Sequence, residues 1–258
     1  MTGPANMNSK TMKTPLLLSV LAALAIGCGG DIQQLCAIQR PGLGGYAIVF
    51  TQTAARTGTC GATAPTDLPD RMGDIYTMDK FREDQTQLGV RPGSLANVVG
   101  TTIQLPKPAS LGLGDFPSNV PAADSTCTVS TVTAMTGEGS AAGREIQLSN
   151  VKFLSGALYQ GSQVEMDATY TVAGCSRTYH GIGITPIVGC STSDTNACNP
   201  TGDPGAGLPA SGINPAYPVA CDAAAGALFP FRYSGSPTRA PAGGPICWLT
   251  NENFPAIH

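Results

Sequence analysis

Nine cysteines constrain this chain more than any other feature of its sequence. Cys28 closes an apolar run near the N-terminus, and the other eight, Cys36, Cys60, Cys127, Cys175, Cys190, Cys198, Cys221 and Cys247, are spread over the remaining length. An even set of widely spaced cysteines behind an export signal reads as a disulfide framework, here of up to four bridges. Eight thiols allow on the order of a hundred pairings, so connectivity does not follow from spacing. Cys36 with Cys60 and Cys221 with Cys247 each flank one hairpin candidate, and these are the expected bridges on that ground. A closed loop of about 15 residues, as between Cys175 and Cys190, contributes roughly 3 kcal/mol in the loop-entropy model, so a full set can dominate stability. Zinc is the competing use of cysteine, and structural zinc usually needs short paired spacings. The chain has no CxxC pair and only two histidines, His180 and His258, so neither a metal nor another cofactor is expected.

The rest of the composition favours strands and loops. Of 258 residues, 32 are glycine and 21 proline, about a fifth of the chain, which argues against long helices. Charged residues are only 12%, while an apolar fraction of 42% supports a packed core. Disorder driven by charge is excluded, and so is a basic nucleic-acid-binding surface.

Residues 15–27, PLLLSVLAALAIG, follow Lys10 and Lys13 and carry no charge. They have the form of a signal-peptide apolar region behind a basic one. The run is too short for a permanent span, which needs roughly 20 residues. Met12 is the start that gives the most compact leader of this kind. The segment Ala25-Ile26-Gly27-Cys28 resembles the lipobox of bacterial lipoproteins. That resemblance implies that residues 1–27 are removed, that the Cys28 thiol is alkylated by diacylglycerol and that the new N-terminus is acylated. Two or three acyl chains anchor stably where one holds only reversibly. The competing reading is a secreted protein whose Cys28 joins a disulfide. Gly29 stands where inner-membrane lipoproteins of enteric bacteria tend to carry Asp, so the resemblance implies the outer membrane. Loss of Lys10 and Lys13 leaves 12 basic against 17 acidic residues, a net charge of −5. A mildly acidic body binds neither nucleic acid nor anionic lipid, so the expected contact with the membrane is through the lipid. A protein or glycan partner stays open.

Residues 28–45 read as a tether, with Pro41-Gly42 and Gly44-Gly45 as turn signals. A single β-rich domain is expected over 46–258. Its clearest strand is Val164 to Val172, where Val164, Met166, Ala168, Tyr170 and Val172 alternate with Glu165, Asp167, Thr169 and Thr171. Period two puts the five apolar residues on one face. Further strands are expected at Tyr46–Thr53, Gly73–Phe81, Val98–Leu105, Cys127–Thr136, Glu145–Leu154, Arg177–Val188, Leu228–Tyr233 and Ile246–Thr250, with one helical turn within Ser94–Val99. Leu105–Pro121 and Asn199–Pro218 read as long Gly/Pro-rich loops, and a C-terminal subdomain would separate at about residue 206. The expected class is mainly β, an antiparallel β-sandwich or open barrel stitched by disulfides.

The segments Gly73-Asp-Ile-Tyr-Thr-Met-Asp-Lys-Phe81, Ala109-Ser-Leu-Gly-Leu-Gly-Asp-Phe116, Pro121 to Cys127, Thr169 to Cys175 and Pro186 to Cys190 resemble uncharacterised lipoproteins of myxobacteria. Asn214 to Asp222 and Cys247 to Thr250 fit the same pattern. The shared motifs are cysteine and turn positions, so the resemblance implies location and architecture and no activity.

Catalytic signatures are scarce. There is no GxSxG elbow, Walker lysine loop or HExxH, and the GxGxxA match at Gly42–Ala47 precedes a strand instead of linking a strand to a helix. His180 is the one internal histidine past the leader; with Asp167 or Asp194 and a serine it could form a triad, as in an exported hydrolase. Glu165 and Asp167, on the polar face of the best strand, could serve as a paired-acid glycosidase site. Asp194, Asn196 and Asp203 offer alternate oxygen ligands, but Gly205 stands where a calcium loop needs Glu. Tyr46, Tyr76, Tyr159, Tyr170, Tyr179, Tyr217, Tyr233 and Trp248 could stack on sugars in a carbohydrate-binding module if exposed on one face; Tyr170 belongs to the buried alternation, and Trp248 suits packing on a disulfide. The expected function is that of a non-enzymatic, lipid-anchored envelope protein.

Overall fold

Period-two alternation becomes the sheet. The computed structural model describes residues 35–38, 45–62, 64–81, 85–96, 98–99, 102–103, 108–156, 161–191, 197–201, 211–229 and 243–256. Strand β10 (Gln163–Val172), expected from Val164, buries Val164, Met166, Ala168 and Tyr170 on one face, with Val172 packed against the same core. It joins β1 (Tyr46–Gln52), β2 (Thr57–Gly58), β3 (Arg71–Phe81), β4 (Gln87–Pro92), β7 (Gly112–Asp115), β8 (Thr126–Thr136), β9 (Arg144–Leu154) and β11 (Cys175–Ile184) in a nine-stranded antiparallel sheet. The order is β7-β4-β3-β1-β11-β10-β9-β8, with β2 pairing β11 off this path. Two small pairs complete the strands, β5 (Val98–Val99) with β6 (Thr102–Ile103) and β12 (Val219–Asp222) with β13 (Ile246–Leu249).

The ends of the path meet. The Leu113 amide of β7 donates to Thr133 Oγ1 of β8 at 2.9 Å, and a Cβ at Gly114 would come within 2.5 Å of the Val129 side chain. Glycine there lets β7 lie flat against β8, and the sheet curls into a nearly closed barrel. Of the two architectures expected, the barrel is the one formed.

Two apolar layers follow from this curl. Inside, Tyr46, Ile48, Phe50, Tyr76, Met78, Leu148 and Phe153 are fully buried, and Phe50 meets Tyr170, Tyr76 and Tyr179 edge-on at centroid distances of 5.3, 5.7 and 6.4 Å. Outside, Ala47, Val49, Ile182 and Ile184 pack against Ile187, Tyr217, Phe229, Ile246 and Trp248 of the C-terminal segment. Strand β1 is therefore buried on both faces, which is why YAIVF lacks polar alternation. Each such aliphatic or aromatic side chain contributes about 1.5–3 kcal/mol on burial. The outer layer carries a short helix, Ala223–Ala227, whose first turn is capped by Asp222 Oδ1 accepting from the amides of Ala224 (2.7 Å) and Ala225 (3.0 Å).

The four bridges are Cys36–Cys127, Cys60–Cys175, Cys190–Cys221 and Cys198–Cys247. All eight candidate cysteines are used, but neither expected pair forms. Cys221 and Cys247 are indeed register partners of the β12–β13 pair, yet each bonds away from the other. Cys36 crosses to the start of β8, and Cys60 follows β2 onto β11 at Cys175, contacts between segments far apart in sequence that the sheet pairing brings together. The Cys36 clamp also shortens the tether expected over 28–45, because Cys36 is only 3% exposed and lies in the barrel core.

Local departures have local causes. The strand expected over Val98–Leu105 is a pair of two-residue strands, and the helical turn near Ser94 is a 3-10 turn at Gly93–Leu95. Strand β7 lies within the loop expected at Leu105–Pro121, its glycines hiding the alternation. The strand expected to reach Val188 ends at Ile184, before Pro186. Leu228 caps the Ala223–Ala227 helix, and the remainder of Leu228–Tyr233 past Phe229 is outside the described residues, as are Cys28 and residues 202–210 of the loop expected at Asn199–Pro218.

Candidate functional site

The sheet brings together the three side chains singled out for chemistry. Antiparallel register sets Asp167 opposite His180 and Glu165 opposite Lys152. On the outer face, His180 Nδ1 lies 3.1 Å from Asp167 Oδ1 and His180 Nε2 3.6 Å from Glu165 Oε2. Lys152 Nζ donates to Glu165 Oε1 at 2.8 Å. A β9 irregularity turns Asn150 into the left-handed region, φ 52°, from which Nδ2 donates to Asp167 Oδ2 at 2.8 Å. Burial opposes ionisation of Asp167, but hydrogen bonds from Asn150 and His180 and the nearby charges outweigh it and hold its pKa below the usual carboxylate range. The hydrogen bond to Glu165 raises the Lys152 pKa against partial burial.

This array does not have the order a hydrolase needs. A triad places histidine between acid and nucleophile. Here Asp167 lies between His180 and Ser149, its register partner on β9, and both ring nitrogens face carboxylates. The side chains of His180 and Asp167 are 40% and 47% exposed on an open sheet face, so the array has the character of a solvated ion-pair network.

A second cluster was not singled out in the sequence. At the barrel end where β3 and β9 begin and β10 ends, a cavity of about 450 Å3 opens among Met72, Leu95, Ile146, Tyr170, Val172 and Leu228, with Asp67, Arg71, Ser94 and Arg144 also in its wall. Behind Ser94 and Tyr170 lies the buried Asp74. Its Oδ1 accepts from the amides of Ile75 (2.8 Å) and Ser94 (3.0 Å), and its Oδ2 from Ser94 Oγ and, at 3.5 Å, the Tyr170 hydroxyl. Tyr170 also shares a 2.6 Å hydrogen bond with Tyr76. Burial is the strongest influence on Asp74 and pushes its pKa from 3.8 up to about 6, against the hydrogen bonds from Ser94, Ile75 and Tyr170. Burial raises both tyrosines as well. The sequence did hold a signal: Asp74 shares the strand parity of Tyr76 and Met78, an acid at an inward-facing position of β3.

The other candidates are dispersed. Tyr46, Tyr76, Tyr170, Tyr179, Tyr217 and Trp248 are buried, so among the described residues the stacking face of a carbohydrate-binding module does not form. Tyr159, Tyr233, Asp194, Asn196, Asp203 and His258 lie outside the described residues. Gly45 to Ala47, the described part of the GxGxxA match, enters β1 directly. The sulfurs of Cys190, Cys198 and Cys247 gather within 4.8 Å because two bridges lie side by side.

The model of the MlpA family matches residues 44–186, more than half of the chain and the whole span from β1 to β11. The chain belongs to the MlpA family. MlpA of Myxococcus xanthus, whose name provisionally assigns it to the lipoproteins, is 27% identical over 223 residues, 83% of this chain and 91% of its own length. The resemblance to myxobacterial lipoproteins noted from cysteine and turn positions is thus met by a family model and a myxobacterial relative. No solved structure matches the chain.

Proposed function

We propose that this MlpA-family chain is an envelope lipoprotein, anchored through lipid on Cys28 and presenting a non-enzymatic barrel with a binding, adhesive or structural role. Cysteine parity is the observation that carries it. The eight cysteines from Cys36 to Cys247 close on one another, which leaves the lipobox cysteine without a cysteine to pair with. Four bridges suit an oxidising compartment, and the lipoprotein name of the Myxococcus relative supports the same assignment. Gly29 after the anchor favours the outer membrane. The inverted order of the His180 array supports a role without turnover.

Triton X-114 partitioning with intact-mass analysis tests this. The wild type is expected in the detergent phase with the mass of residues 28–258 plus acyl chains, gaining about eight hydrogens on reduction of four bridges. Cys28→Ser is expected to carry no acyl mass. An unlipidated wild type in the aqueous phase overturns the proposal.

A further inference from the structure

We propose that the open mouth of the barrel is a binding site for a small amphipathic anion, its acid group held by Arg144 and its apolar body by Met72, Leu95, Ile146, Val172 and Leu228. A cavity of about 450 Å3 falls in the range of small-molecule sites, roughly 300–1,000 Å3, and barrel mouths are common places for them. Side-chain parity makes Arg144 unusual. It stands two residues before Ile146 and four before Leu148, both fully buried, so a guanidinium occupies an inward-facing position of β9 at the rim. Arg71 meets Glu252, and Arg56 and Arg177 meet Asp70, but the Arg144 guanidinium has no hydrogen-bond or ion-pair partner among the described residues. Guanidinium stays charged at all ordinary pH values, and a half-buried charge without a counter-ion is unfavourable. An anionic ligand supplies that counter-ion and covers the apolar wall in one step.

The acids near the mouth do not offer the same welcome to a cation. Asp67 is exposed at the rim, where water screens it. Asp74 is turned away behind Ser94 and Tyr170, its oxygens taken by their donors and the Ile75 amide. Glu138, next to the Gly137 that pairs with the Arg144 backbone, has a buried oxygen without a partner but does not line the cavity, so the deeper unpaired charge in the wall is the Arg144 guanidinium and charge complementarity selects an acid.

Isothermal titration calorimetry on the full chain carrying Cys28→Ser tests this with decanoate, decan-1-ol and decylammonium as probes; the substitution removes the proposed lipid and leaves every described residue in place. Decanoate is expected to bind once per chain and more tightly than the other two. Arg144→Gln is expected to weaken decanoate at least tenfold, to the level of the alcohol, with the near-ultraviolet dichroism unchanged and the melting temperature of the free protein no lower. Val172→Trp, which fills the mouth from a half-buried position, is expected to abolish saturable binding of decanoate. Absence of saturable binding, decanoate affinity unchanged in Arg144→Gln, or decylammonium binding as tightly as decanoate each overturn the proposal.

Discussion

Asp167 and Asp74 belong to strands of one sheet but face opposite sides of it, and their protons respond in opposite directions. On the outer face, partial burial of Asp167 is outweighed by the hydrogen bonds of Asn150 and His180 and by the charges of His180 and Lys152, and its pKa falls. On the inner face, Asp74 accepts from two amides and a serine hydroxyl, yet burial prevails and its pKa rises to about 6. The number of hydrogen bonds does not separate the two. Distance from water does, because desolvation disfavours the charged form more than neutral donors can restore it.

The comparison is most sharply tested at Asp74. Its folded pKa lies above the unfolded value of 3.8, so the native state holds the extra proton between the two. The stability from this group is fully present below about pH 3.8 and is lost as pH rises through about 6, a change of about 3 kcal/mol. Asp74→Asn removes the titration while keeping the shape. Urea unfolding is expected to show the variant gaining about 2.5 kcal/mol on the wild type between pH 4 and pH 7.5. A difference independent of pH breaks the comparison.

Tyr170→Phe probes the same cluster by deleting one hydroxyl. It leaves Tyr76 and Asp74 each short of a partner and is expected to lower stability by about 1–2 kcal/mol. A neutral result would mean that water replaces the hydroxyl through the mouth. The smallest effect is expected on the outer face. Asp167→Asn should remove less than about 1 kcal/mol at pH 7, because the pair is exposed and screened. Asp167 has a lowered pKa, so its contribution is present above the unfolded value and is lost as pH falls through the folded one. The loss is expected to shrink further in 1 M salt, and a change as large as that at Asp74 would show that the outer array is not solvated.

Legibility in the sequence followed the range of the interaction concerned. Strand β10 was visible because its alternation is local, and so was the chemistry of Glu165, Asp167 and His180, which needed only antiparallel pairing to meet. The Cys36–Cys127 and Cys60–Cys175 bridges were not, since their partners are separated by 91 and 115 residues and come together only through long-range assembly of the sheet. Strand β7 was hidden by the glycines that allow its seam with β8. The barrel mouth is not legible for another reason: Asp74 and Arg144 are out of place only with respect to strand parity, and parity matters once the inside of the barrel is known.

The Cys36–Cys127 bridge fixes more than the fold. Cys36 is eight residues beyond Cys28, and eight residue steps fully extended span at most about 29 Å. The clamp lies at the start of β8 and the mouth at the start of β9, opposite ends of strands eleven residues long, or roughly 35 Å apart. A chain held by lipid at Cys28 is on a short leash. The lipid proposed at Cys28 would allow the Cys36 clamp no more than about 29 Å of slack.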